Sequence, residues 1–216
     1  MKKLFVCLMA ICLGFAMNAN AQTTYSKQKA KQAKKEYKQK VKSYQKDGWK
    51  IFGSSHTLEM ALLEHYEALE KAGEGAVELT GFATSTSEKI GSAKLKTDAS
   101  ESYAQMVSSN IRGRITEDMG STLTTEELEE FEHFYAAYES KVATEIRGEL
   151  HHTYSIYRAE KIHGKDAYKF QAYYIVDEAA ASRARIRAFE NAAKESAVAQ
   201  KYAEKVHQFI EEAFEE

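Results

Sequence analysis

The sequence predicts an α+β fold: a three-stranded, largely antiparallel sheet covered by a long helix, with long helical extensions at both ends. Three observations carry this prediction. Apolar residues recur at helical spacing over most of the chain but alternate with period two at Val77–Ala83, Ile146–Ile156 and Tyr168–Val176. There is no proline among the 216 residues, and Ala, Glu and Lys are abundant, which favours long helices. The tetrapeptide His163-Gly164-Lys165-Asp166 joins two of the alternating runs as a hairpin turn would.

The chain opens as a secretory signal. Lys2 and Lys3 precede an apolar stretch from Leu4 to Met17, and Ala19-Asn20-Ala21 is an A-x-A cleavage site, so the mature chain is expected to start at Gln22. The apolar run is shorter than the ~20 residues that a membrane span needs. Both cysteines, Cys7 and Cys12, lie inside this segment, and Cys12 does not sit at a lipoprotein cleavage point. The mature chain is therefore expected to carry no lipid anchor, disulfide or Cys-ligated metal, and to rely on packing for stability.

A basic helical arm follows, over residues 22–48. Between Tyr25 and Lys50 ten lysines stand against Glu36 and Asp47, a net of +8. Ala30, Ala33, Tyr37, Val41 and Tyr44 form a thin apolar stripe at helical spacing. Either that stripe packs on the domain, or the arm contacts an anionic envelope component (phosphate-bearing lipid or cell-wall polymer) or an acidic protein partner. Nucleic acid is not expected for an exported chain. Asp47-Gly48 ends the helix, and Trp49, Ile51 and Phe52 are expected to plug into the core.

The α+β core is expected over residues 49–177. Thr57 caps an amphipathic helix carrying Leu58, Ala61, Leu62, His65, Tyr66 and Leu69, which stops at Gly73 and Gly75. His65 reads as a packed, hydrogen-bonded histidine. The strand Val77–Ala83 runs through a small-residue turn into the central helix Glu88–Ile115, whose buried side is read as Ile90, Ala93, Tyr103, Val107, Ile111 and Ile115. The first strand pattern, this helix and the hairpin form the expected core unit, with Tyr103, Val107 and Ile111 packed against Tyr154, Phe170 or their neighbours. Arg112-Gly113-Arg114 is a weak anion-binding candidate at the helix end. Thr124 to Glu127 is a capping box, T-x-x-E, opening a helix with Leu128, Phe131, Phe134, Tyr135, Tyr138 and Val142. Its glutamates 126, 127, 129, 130 and 132 read as a solvated helix start that complements the dipole.

The last element, residues 178–216, is read as one long helix capped by Asp177. Phe189, Ala192, Ala203, Val206, Ile210 and Ala213 line an apolar seam, widened by Val198, Tyr202, Phe209 and Phe214. The seam packs either on the core or in a coiled coil, including self-association. From Glu204 the tail carries Glu204, Glu211, Glu212, Glu215 and Glu216 against Lys205, a net of −4 that complements the lysine-rich arm.

No catalytic, cofactor-binding or metal residues can be named. His151 and His152 would point to opposite faces of a strand, so a metal site could use only one of them, for example Glu149, His151 and a residue of the partner strand. No G-x-S-x-G, H-E-x-x-H, phosphate-loop or dinucleotide pattern occurs.

At Gly81-Phe82-Ala83-Thr84, the helix with Ala99, Tyr103 and Ala104, and the hairpin beyond, the chain resembles the family of small (about twenty-kilodalton) outer-membrane lipoproteins. That family is related to the N-terminal domain of the flagellar assembly T protein. The resemblance spans about Val77 to Asp177 and lacks the lipobox. It implies an α+β envelope domain used for binding or assembly and supplies no catalytic residue. The expected function is a non-enzymatic periplasmic or outer-membrane-associated protein. The alternatives are a small-ligand or metal-binding module on the Tyr/His-rich hairpin, or a hydrolase with a carboxylate pair that meets only in space.

Overall fold

The computed structural model describes residues 35–73 and 75–211. The expected signal, the start of the basic arm and the end of the acidic tail lie outside the described residues. The chain divides into two units, Met1–Asp47 and Gly48–Glu216. In the first, residues 35–46 form helix α1, where Val41 and Tyr44 are buried and Tyr37 is partly so. These are three of the five residues in the expected stripe.

Among the described residues, the second unit holds four strands rather than three. The antiparallel order is β1-β3-β4-β2, with β1 Lys50–Phe52, β2 Val77–Ser85, β3 His151–Ile162 and β4 Lys165–Val176. The added strand β1 is only three residues long, too short to show a period, and pairs Ile51 with Ile156. β3 and β4 meet in a two-residue loop in which His163 and Gly164 both have positive φ, 49° and 77°. Such a primed turn matches the twist of the flanking strands.

The stretch 145–149 is not strand. Helix α4 runs Thr125–Glu149, and its buried ridge continues from Tyr138 through Val142 to Ile146. Ile146 and Leu150 satisfy both a spacing of two and a spacing of four, so the two periods overlap there. A register shift between His152 and Tyr154 then leaves Thr153 as the extra residue of a bulge. As a result Tyr154 and Ile156 share a face with Tyr173 and Gln171, away from Phe170 and Tyr174. The expected contact of Tyr103, Val107 and Ile111 with Tyr154 is therefore not made. Those three are fully buried in a core that contains Phe170 but not Tyr154.

Helix α3 runs Glu88–Met119, one turn beyond the expected end, so Arg112-Gly113-Arg114 lies inside it. At ~1.5 Å per residue its 32 residues span ~48 Å. Its first half crosses β2 and β4, and its second half joins α4 and the C-terminal helices. Ile90 (55% exposed) and Ala93 face solvent instead of the core. Gly91 and Leu95 are buried in their place, because helix and sheet meet through glycine. A Cβ on Gly81 would lie 1.9 Å from the Leu95 carbonyl oxygen, and one on Gly91 2.4 Å from the Phe170 ring.

Among the described residues, the expected single C-terminal helix is three: α5 Glu178–Ala193, α6 Ala197–Lys201 and α7 Ala203–Glu211. Ser196 starts α6 by accepting the Ala199 N–H at 3.1 Å, and Glu130 of α4 accepts the Val198 N–H at 3.0 Å. Phe189, Ala192, Val198, Val206 and Ile210 of the seam are buried in the chain's own core. The glutamates of α4 do more than face solvent. Glu127 completes the capping box and takes Lys201 and the Tyr202 hydroxyl, and Glu132 pairs with Arg112 at 2.7 Å. Arg187 of α5 is clamped by Glu145 and Glu149 at 2.8 and 2.9 Å.

Candidate functional site

One face of the sheet is covered by α3. On the other, helix α2, Leu58–Ala72, lies over β3 and β4 at the end that carries Tyr154 and Tyr173. Among the described residues, Phe82 and Thr84 are exposed at the corner of this face away from Tyr154 and Tyr173. Register sets its side chains in cross-strand rows. Thr84, Lys169 and Arg158 are neighbours in one row, and Phe82, Gln171, Ile156 and Ile51 in the next. Trp49, just before β1, comes beside Arg158, whose guanidinium sits 4.9 Å over the indole ring. Trp49 is thus half-buried at the sheet surface and does not plug into the core as expected.

Of these residues, Ile156 is fully buried, whereas Trp49, Phe82, Thr84, Arg158, Lys169 and Gln171 line a hollow of about 420 Å³, within the size range of small-molecule sites. Its polar groups are mostly donors. The Tyr173 hydroxyl donates to Gln171 Oε1 at 3.0 Å, which turns the Gln171 NH₂ away from Tyr173. Glu160, the carboxylate at the rim, lies 2.9 Å from Lys169 Nζ and 3.9 Å from Arg158. Phe82 is 54% exposed. On its far side a second hollow, about 770 Å³, is bordered by Ile90, Ala93, Lys89 and Lys94 of α3. Asp98, also on that border, accepts the Phe82 backbone N–H at 2.8 Å.

Under α2 lies a hydroxyl–imidazole–carboxylate series. His65, fully buried, has Nδ1 2.9 Å from Thr153 Oγ1 and Nε2 2.8 Å from Glu78 Oε2. Thr153, the bulge residue, donates its single hydroxyl proton to the Tyr173 carbonyl at 2.9 Å. A hydroxyl nucleophile must instead give its proton to the imidazole. The series therefore ties α2, β2, β3 and β4 together, in keeping with the packed histidine expected from sequence.

The other candidate residues do not converge. Glu149 is held by Arg187, and His152 Nε2 lies 2.8 Å from Ser155 Oγ with its ring edge-on to Tyr174. Burial, and then the nearby His151 and Lys96, push the His152 imidazole below its ordinary value. No cluster of three His, Cys, Asp or Glu able to hold a metal occurs among the described residues. Arg185, fully buried in α5, donates to the Tyr103 hydroxyl at 2.8 Å and to Glu178, joining α5 to α3. Burial raises the Tyr103 hydroxyl above its usual value, against the lowering effect of Arg185.

Sequence reasoning did not bring Phe82, Arg158, Lys169 and Gln171 together, because only the strand register does so. One signal was available. Along one face of β4 the residues change from Lys169 and Gln171 to Tyr173 and Ile175, which marks the edge of the cover that α2 provides. Compared with known proteins, the chain matches no family model, no curated protein and no solved structure.

Proposed function

We propose that this chain is a non-enzymatic protein exported to the bacterial envelope, periplasmic or associated with the outer membrane, with a binding or assembly role. Its lysine-rich segment between Tyr25 and Lys50 engages an anionic envelope component. The observation that carries this reading is charge segregation. That segment is net +8, while the rest of the chain sums to −10. Such asymmetry steers a protein to surfaces of opposite sign, with an attraction that salt screens over ~8 Å at physiological strength. The resemblance to small outer-membrane lipoproteins supports the same location. His65, Arg185 and Arg187 are each engaged in joining elements.

The test has two parts. Intact mass of the native protein should give a chain beginning at Gln22 with no acyl group; a lipidated product, or one that keeps residues 1–21, contradicts the export reading. The mature chain should also bind anionic lipid vesicles or acidic envelope polymer, weakening as salt rises. Changing six lysines of the segment (27, 29, 31, 34, 35 and 38) to glutamine should abolish that binding. Unchanged binding by the glutamine variant would overturn the assignment to this segment. Retention only by an acidic envelope protein would replace polymer or lipid with a protein partner.

A further inference from the structure

We infer that the corner of the sheet around Phe82 binds an acidic sugar: one ring of a carboxylate-bearing polysaccharide in the hollow beside Trp49, with the chain continuing across Phe82. This goes beyond the lysine-rich segment, and only the preference for a sugar over a nucleobase rests on the proposed export.

The argument starts from donors and acceptors. The side chains that face the hollow offer a guanidinium (Arg158), an ammonium (Lys169), an amide NH₂ (Gln171) and a hydroxyl (Thr84). The rim carboxylate, Glu160, pairs with Lys169 and lies 3.9 Å from Arg158, so the three together keep one net positive charge. Such a surface fits a ligand rich in acceptors and of negative charge. A carboxylate matches the planar fork of Arg158, which the Trp49 ring holds in place.

The second feature is the aromatic surface. Phe82 stands more than half exposed on a rigid, paired strand, beside a hollow on each side. A ligand that suits this surface has one apolar face and polar edges. A pyranose ring has both, since its axial C–H groups make a flat apolar face and its hydroxyls lie around the rim. The third feature is length. Beyond Phe82 the second hollow is bordered by Lys89 and Lys94 and by the exposed carboxylate Glu101. Its Asp98 carboxylate is committed to the Phe82 N–H. On that side two lysines thus stand against one remaining carboxylate, Glu101, so cations are in excess on both sides of the aromatic ring, which fits a repeating anion and not a single small molecule.

Trp49 is the only tryptophan in the chain, so its fluorescence reports on this hollow and on the end of the lysine-rich segment beside it, and the glutamine variant of that segment separates the two. The full mature chain is titrated with oligogalacturonate, with neutral dextran oligomers, with polyphosphate and with single-stranded DNA. The inference expects a saturable change in Trp49 emission with oligogalacturonate and none with dextran. Phe82→Ala and Arg158→Gln should each weaken binding by about tenfold or more. Both positions lie at the surface, so an unchanged melting temperature checks the fold. The lysine-to-glutamine variant of the arm should keep the Trp49 response. Loss of vesicle or polymer binding in that variant, with the Trp49 response kept, bears only on the proposed function. Equal binding of dextran, or wild-type affinity in both site variants, overturns the inference. Equal or tighter binding of polyphosphate overturns the sugar in favour of a general polyanion site. Tighter binding of DNA overturns it in favour of base stacking.

Discussion

A methyl group decides how close α3 can lie to the sheet. At residue 81 the nearest neighbour is backbone, the Leu95 carbonyl, which cannot swing aside as a side chain can. Gly81→Ala should therefore destabilise by about 2–3 kcal/mol, at the upper end of overpacking costs. Chemical denaturation measures this; a loss under ~0.5 kcal/mol would mean that α3 slides over β2 freely. The same contact explains what the sequence concealed. Tyr103, Val107, Ile111 and Ile115 were legible as a buried stripe because each is large and apolar. The first turns of α3 pack through Gly91, which carries no hydropathy signal. Extrapolating the stripe backward thus put Ile90 and Ala93 on the buried side, and both are exposed.

At the scale of the element, one set of bonds runs between α4 and the C-terminal helices. Glu130 accepts the Val198 N–H at the start of α6, 68 residues away in sequence. Glu130→Ala should leave the fold intact but speed amide hydrogen exchange across residues 197–211; unchanged exchange there would assign the break in the helix to Ser196 alone. Three positions earlier, Glu127 has its carboxyl held down to about 2, by Lys201 first and then by the Thr124 backbone N–H, with the Tyr202 hydroxyl adding to the effect. A depressed carboxylate adds stability above its unfolded value, near 4.5, and that stability fades as pH falls toward 2. Melting temperature should therefore drop over that window, and Glu127→Gln should flatten the drop. A parallel fall in both proteins would contradict this. The capping box was readable because all its parts lie within four residues. The division of the last helix was not, since no proline or glycine marks it and one of its two determinants is on another helix. The expected strand start at Ile146 falls inside α4 for a different reason: that helix ends on residues whose spacing suits either period.

At the scale of the whole molecule, the α+β class, the antiparallel hairpin and the central helix were all legible, because each is long and strongly periodic. The fourth strand was too short to announce itself, and the half-covered face depends on where α2 stops. A different consequence follows from the bond between Asp98 and the Phe82 N–H. Strand β2 is an outer strand with one partner, β4, and an unguarded outer strand is a template on which another molecule's strand can grow. Asp98 occupies the middle of that template from the side, so the helix that builds the core also shields the border of the sheet. Asp98→Ala should leave the folded monomer intact at low concentration yet shorten the lag of thioflavin-positive fibril formation on agitation. An identical lag in the two proteins would show that this carboxylate does not protect the chain from its own copies.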